Sequence, residues 1–166
     1  MSADFDNPGN CGSQSAKRNF GICDDANRSP AYLDETNGDK WIAEVHKGHD
    51  RVITFVAIDY CIETRRPNGE MDNRCDGMLM DGPTVIFVEL KERDTDRPDW
   101  VKDGVRQLSN SIRYFEATPA AAAFRQKLAY IANSERPSFV DSKRSRQEDF
   151  LAETGYVLAI TPHIRL

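Results

Sequence analysis

The sequence predicts one α+β domain, in which a mostly antiparallel sheet is followed by helix, strand, helix and strand. Short apolar stretches separated by turn residues run from Trp41 to Glu92, which is typical of successive strands. Apolar residues at helical spacing follow between Trp100 and Ala117. With 166 residues, 39% of them hydrophobic, the chain can form one core and is too short for two ordinary domains. We therefore treat residues 1–166 as a single domain.

The segment 1–40 is rich in Asp, Asn, Gly, Ser and Pro, and we expect it to be an irregular lead-in. Trp41–His46 and Arg51–Asp59 flank a turn-like Lys-Gly-His-Asp sequence, which predicts a β-hairpin. A third strand, Cys75–Met80, is followed by a fourth, Thr84–Glu92. The Asp81-Gly82 pair between them predicts a second tight turn.

The predicted helix Trp100–Ala117 places its apolar residues on one stripe. These residues are Val101, Val105, Leu108, Ile112 and Phe115. Beyond a helical turn at Ala120–Ala123, the sequence predicts a buried strand, a polar helix and a last strand. Their expected bounds are Lys127–Ala132, Ser142–Glu153 and Tyr156–Thr161. The core would thus span 41–132, with a C-terminal helix and strand in 133–166.

Composition excludes some classes of function. The formal net charge of -5 argues against binding nucleic acid by overall charge, so an anionic substrate needs a local basic patch or a metal. The mean hydropathy is -0.62, and no apolar run approaches the roughly 20 residues of a membrane span. The polar N-terminal sequence lacks a signal-peptide pattern, so we expect a cytoplasmic protein without membrane contact.

Cysteines and histidines give weak signals. The four cysteines form no C-x2-C pair, and in a reducing compartment we expect core or turn thiols rather than disulfides or a zinc site. The three histidines, His46, His49 and His163, have no helical or cysteine partner at metal-ligand spacing. We therefore expect no catalytic or zinc role for them.

The strongest chemical pattern lies on the third and fourth strands. Alternation puts Glu89 and Lys91 on one face of an apolar strand; alone, such a pair would be a solvated ion pair. If the turn is centred on Asp81 and Gly82, Asp76 lies opposite Phe87 and diagonal to Glu89. Two converging carboxylates are costly without a cation between them, and hard oxygen ligands suit Mg²⁺ or Mn²⁺. Lys91 would supply positive charge beside that ion.

This pattern resembles the PD-(D/E)XK nuclease superfamily. Asp76, then Glu89-Leu90-Lys91 ending an apolar strand, then an amphipathic helix match the family's motif over about residues 40–132. The resemblance implies a restriction-endonuclease-like αβββαβ core and Mg²⁺- or Mn²⁺-dependent hydrolysis of DNA, or of RNA, with a homodimer or a protein partner. It implies that Asp76, Glu89 and the Leu90 carbonyl bind the metal. Lys91 would be the catalytic lysine, and Gln107 matches a glutamine that many members carry.

The sequence departs from the family pattern at two points. Cys75 precedes Asp76 where the motif has proline. The acid that many members supply from a first helix has no clear equivalent, and Glu35, Glu44 and Asp59 remain open as candidates. For phosphate contacts we favour Arg65, Arg66 and Arg74, because their loop leads into the proposed metal strand.

Two other functions stay open. The same fold could serve as an inactive binding protein, such as an immunity protein, an antitoxin or a subunit of a defence complex. Small size and acidic charge favour this alternative. In a third interpretation the domain is structural, and its E-x-K is an incidental ion pair.

Overall fold

The computed structural model describes residues 4–5, 8–25, 27–91, 99–134 and 143–166, apart from the side chain of residue 143. It confirms the α+β class: two α-helices accompany a six-stranded and a four-stranded sheet in these residues. The strands are β1 (Gly12–Ser15), β2 (Asn19–Cys23), β3 (Tyr32–Asp34), β4 (Ala43–His46), β5 (Ile53–Ala57), β6 (Gly77–Asp81), β7 (Thr84–Leu90), β8 (Gln126–Ala132), β9 (Val157–Ile160) and β10 (His163–Arg165). The helices are α1 (Trp100–Glu116) and α2 (Lys143–Thr154). Neither helix is long and apolar enough to cross a bilayer.

The larger sheet has the order β1-β5-β6-β7-β8-β9. The neighbouring pairs among β1, β5, β6 and β7 are antiparallel, whereas β7, β8 and β9 run parallel to one another. The smaller sheet has the order β10-β4-β2-β3. The order βββαβ of the expected core occurs as β5-β6-β7-α1-β8, but among the described residues only 3-10 turns and strands precede β5.

Strand β7 lies at the centre of three layers, and all seven of its residues are buried. Val85 and Phe87 pack in the cluster that includes the residues of α1 and α2. Ile86 and Val88 pack on the other side, against residues of the smaller sheet. Because both faces are covered, a charged residue on β7 is withdrawn from water, unlike the solvated surface pair considered from the sequence.

The chain before residue 60 differs from the sequence prediction. Segment 1–40 is not irregular throughout, since it contributes β1, β2 and β3. The predicted hairpin is wrong: β4 belongs to the smaller sheet and β5 to the larger one. The hairpin was predicted from alternating apolar residues. Such alternation indicates a half-buried strand but does not identify the strand with which it pairs. The predicted ends at Glu92 and Ser142 lie outside the described residues.

A disulfide joins Cys11 to Cys61, whereas Cys23 and Cys75 are buried free thiols. The expectation of free thiols is therefore wrong for the first pair. Strand β1 pairs with β5 so that Gly12 lies opposite Val56, which brings the residue before β1 close to the turn after β5. The Cα atoms are 5.8 Å apart, within disulfide range.

The turn between β6 and β7 is shifted from its predicted position. Gly82 and Pro83 form it, and Asp81 pairs with Thr84. Pro83 has no N–H to donate to the ladder, so it cannot pair with Met80 as predicted. Gly82 has φ +53°, a conformation that glycine adopts without strain. The correction moves the register by two positions and leaves the strand faces unchanged.

Gly77, the first residue of β6, is expected to tolerate no side chain. A Cβ atom there would lie 2.5 Å from the Phe55 ring and 2.9 Å from the Val56 carbonyl oxygen. We expect Gly77→Ala to lower the free energy of unfolding by about 1–3 kcal/mol through overpacking. Urea unfolding monitored by circular dichroism measures the effect. Gly48→Ala is the control, because its Cβ would meet only the Leu166 carbonyl oxygen at 3.6 Å; equal midpoints for the two variants would contradict the expectation.

Candidate metal centre

Helix α1 holds the segment that leads into β6. The hydroxyl of Ser111 accepts a 2.9 Å hydrogen bond from the backbone N–H of Cys75. One turn earlier, the side-chain amide of Gln107 donates to the carbonyl of Arg74 at 3.5 Å. One turn later, the Tyr114 hydroxyl donates to Asp72 at 3.0 Å. These contacts fix the backbone immediately before Asp76.

Asp76 and Glu89 are brought together at the ends of β6 and β7. Gly77 pairs with Val88, so continuing the register by one position sets Asp76 directly opposite Glu89 rather than opposite Phe87. The Asp76 side chain accepts a 2.7 Å hydrogen bond from the backbone N–H of Leu90. Both acids are buried, with exposures of 8% for Asp76 and 3% for Glu89. The structure thus places two adjacent carboxyl groups in a site with little access to water.

Lys91 and Gln107 complete the predicted constellation. The Lys91 ammonium lies 3.1 Å from Glu89 Oε1 and donates a 2.8 Å hydrogen bond to Gln107 Oε1. Its side chain is 20% exposed, so it reaches the rim of the buried pair. Lys91 is therefore held between β7 and α1. The predicted role of the Leu90 carbonyl as a metal ligand stays a prediction.

A third acid is supplied by Asp59, just after β5. The charge of Asp59 acts on both Asp76 and Glu89. Of the three candidates for a further acid, Asp59 is therefore the one that lies near the pair. The Arg74 guanidinium lies 3.1 Å from Asp59 and donates to the Ile62 carbonyl at 2.8 Å. Glu35 is instead exposed, and Glu44 lies on the smaller sheet.

A fourth acid, Asp24, was missed from the sequence. It follows β2 and adds negative charge at Asp76 and Asp59. Its approach depends on the docking of the smaller sheet, which the composition of 1–40 did not predict. The sequence signal for Asp24 was its position directly after the apolar stretch Phe-Gly-Ile-Cys, at the end of a strand.

The electrostatics of the site favour protonation of its carboxyl groups or a bound cation. Burial raises the pKa of Asp76 to about 7, although the Leu90 N–H and Lys91 act in the opposite direction. Burial and the neighbouring Asp76 charge raise the pKa of Glu89 well above its usual range, against the opposing effect of Lys91. Burial also raises the pKa of Asp59, although the charge of Arg74 lowers it. A proton or a metal ion is needed to relieve this accumulation of carboxyl groups.

The donor set fits a hard divalent cation. Glu89 Oε2 is buried and has no hydrogen-bond partner, so it leaves a lone pair available within the site. Buried polar atoms are normally satisfied, and each exception requires an explanation. Asp76 and Glu89 offer carboxylate oxygens, which are the ligands that Mg²⁺ and Mn²⁺ prefer. These residues could hold the metal implied by the family resemblance.

The three predicted phosphate-binding arginines occupy different environments. Arg74 is largely buried and bound to Asp59. Arg65 pairs with Glu63, and Arg66 pairs with Glu70 and Asp72. A groove of about 500 Å³ lies beside the loop of Arg65 and Arg66. Its lining residues are Arg65, Arg66, Pro67, Gly69, Arg113 and Tyr114.

Comparisons with protein-family models, curated proteins and solved structures find no match.

Proposed function

We propose that this protein is a Mg²⁺- or Mn²⁺-dependent phosphodiester hydrolase of the PD-(D/E)XK type acting on DNA, or on RNA. The observation that carries the proposal is the buried pair Asp76–Glu89, with Lys91 held 3.1 Å from Glu89. An ion bound by the two carboxylates would polarise the phosphate and lower the pKa of a bound water. Asp59 supports the proposal as a third acid beside the pair.

Lys91 and Gln107 have positioning and electrostatic roles in this proposal. Charge develops on the nonbridging phosphate oxygens as water attacks phosphorus, and a fixed ammonium stabilises that charge. The hydrogen bond from Lys91 to Gln107 Oε1 holds the lysine head group on the α1 side of the site. Glu89 also contacts the Lys91 ammonium, at 3.1 Å. A substrate phosphate can then compete for Lys91 without a large movement of the chain.

The groove beside α1 is the proposed contact for the nucleic-acid backbone. Arg113 and Tyr114 lie six and seven residues after Gln107 on the same helix, which corresponds to about 10 Å along its axis. That distance equals roughly three nucleotides of B-form rise along one strand. Arg65, Arg66 and Arg113 would contact phosphates there, whereas Arg74 would act mainly by orienting Asp59. A homodimer or a protein partner remains part of this proposal.

The cytoplasmic location expected from the sequence also remains a proposal. The Cys11–Cys61 disulfide weighs against it, because disulfides persist mainly in oxidising compartments. Labelling of free thiols in protein taken directly from cells would show whether the bond forms there.

The test of the proposed function is a comparison of Lys91→Met with wild type. Plasmid DNA, single-stranded DNA and RNA are incubated with Mg²⁺, Mn²⁺ or EDTA, and Mn²⁺ binding is measured by calorimetry. We expect wild type to cleave one of these substrates only with metal. Lys91→Met should cleave it about 10²–10³-fold more slowly while still binding Mn²⁺, because it loses charge stabilisation alone. Lys102→Met, at an exposed position of α1, is the matched control.

The outcomes separate the candidate functions. Equal cleavage by Lys91→Met and wild type would overturn the assigned role of Lys91. Absence of both Mn²⁺ binding and cleavage in folded wild-type protein would overturn the nuclease proposal. A stable one-to-one protein complex under those conditions would then favour the inhibitor or defence-subunit alternative.

A further inference from the structure

A second cluster of metal-ligating side chains lies on the smaller sheet, away from the acidic pair. Glu44 and His46 are two positions apart on β4, and His163 is the first residue of β10. The strands are parallel, and His163 is the register partner of Glu44. Val45 and Ile164 alternate with these residues and are buried in the core. The three polar side chains therefore share the outward face of the sheet.

Three potential ligand atoms converge on this face. Glu44 Oε2 lies 3.2 Å from His163 Nδ1 and 3.4 Å from His46 Nε2. All three atoms lie within 4.8 Å of one another. Neither imidazole nitrogen makes a hydrogen bond, although both atoms are buried. Two imidazole nitrogens and a carboxylate oxygen therefore lie close together, but their contacts do not have the geometry of hydrogen bonds.

The orientation of His46 is fixed by its other ring nitrogen. His46 Nδ1 lies 2.8 Å from Asn19 Oδ1, on the neighbouring strand β2. An amide oxygen can only accept, so Nδ1 is the donor in this contact. Histidine ligands of metals commonly donate their second N–H to a carbonyl or carboxylate in this way. Asn19 therefore orients the ring so that Nε2 faces Glu44 and His163.

We propose that Glu44, His46 and His163 bind a Zn²⁺ ion. Ligand atoms at 2.0–2.1 Å from a tetrahedral ion lie about 3.3–3.4 Å apart, close to the two distances found here. Two imidazole nitrogens and one carboxylate form a donor set that suits Zn²⁺ rather than Mg²⁺, which prefers oxygen ligands. Side-chain exposures of 30–42% give the ion a route from solvent and leave a coordination position for water.

The two rings are stacked, with centroids 5.8 Å apart, so both imidazoles lie beside the single Glu44 carboxylate. One divalent ion uses both lone pairs and the carboxylate together. It would also connect β10 to β4 through side chains, in addition to the backbone ladder.

Metal binding to the full chain tests this proposal independently of any nuclease activity. Metal-free protein is titrated with Co²⁺, followed by its visible absorption bands, and then with Zn²⁺ by calorimetry. All proteins in the titration carry Glu89→Gln, which removes a ligand of the proposed acidic site. In this background we expect one equivalent of Co²⁺ to bind and to be displaced by Zn²⁺. Binding should be lost on adding His46→Gln or His163→Gln, and it should persist on adding His49→Gln, because His49 contacts Asp81 instead.

Folding of each variant is checked by circular dichroism, and Glu44→Gln replaces any histidine variant that fails to fold. In the Glu89→Gln background, Zn²⁺ should raise the melting temperature and leave that of the added ligand variants unchanged. Saturable binding that survives there in folded His46→Gln and His163→Gln would overturn the proposal, as would the absence of one-equivalent binding in Glu89→Gln alone.

Discussion

Replacing Glu89 by glutamine is expected to abolish metal-dependent cleavage while leaving the protein more stable. Glu89 is 3% exposed, its Oε2 has no hydrogen-bond partner, and burial with Asp76 raises its pKa well above the usual range. Glutamine has nearly the same shape and carries no charge, so the variant avoids the cost of a buried carboxylate. It also loses the ligand that the proposed metal requires. We expect cleavage to fall by roughly 10³-fold or more.

Cleavage rates in Mg²⁺ and Mn²⁺, with thermal unfolding in EDTA, measure both parts of this expectation. Glu153→Gln is the matched control, because Glu153 is an exposed glutamate on α2. Activity of Glu89→Gln within about tenfold of wild type would exclude a metal-ligand role, since removal of a ligand costs much more. Loss of activity together with loss of the folded state would point to a structural role instead.

The second large effect is an inverse pH dependence of stability in the metal-free protein. The pKa of Asp76 is about 7 in the folded chain and 3.8 for an ordinary aspartate. Between these pH values the folded state binds more protons than the unfolded state. The contribution of Asp76 to stability is therefore complete below about pH 4 and is lost as the pH rises through 7. The difference corresponds to about 4 kcal/mol.

Denaturant unfolding in EDTA at several pH values, for wild type and Asp76→Asn, isolates this contribution. The stability of wild type relative to the variant should decrease from about pH 4 to about pH 7 and then level off. Addition of Mn²⁺ above pH 7 should restore stability to wild type, because a cation bound only by the folded state stabilises it. A constant difference across this range would show that Asp76 has an ordinary pKa in the folded protein.

Sequence periodicity predicted the elements that have strong apolar patterns. The helical stripe from Val101 to Phe115 corresponds to α1, and the apolar run after Gly82 corresponds to β7. By contrast, β1 has four residues with small or polar side chains, and β3 has only three residues. Their stability comes from pairing with distant strands, which a local pattern does not contain.

The candidate site was predicted more completely than its surroundings. The structure brings together four predicted residues, Asp76, Glu89, Lys91 and Gln107. Side chains alternate between the two faces of a strand, so a register shift of two positions leaves each residue on its predicted face. The sequence left Asp59 as one of three candidates for the further acid, because its position near the pair depends on where β5 lies in the sheet. The pairing of His163 with β4 joins residues more than one hundred positions apart, and no local spacing indicated it.

The Cys11–Cys61 bond has a topological consequence for the acidic site. It closes a covalent ring that contains β1 to β5, together with Asp24 and Asp59. Asp76, Glu89 and Lys91 lie on the open chain beyond the ring. A single peptide-bond cut anywhere between the two cysteines therefore leaves one covalent molecule, and the two groups of acids stay tethered until the bond is reduced.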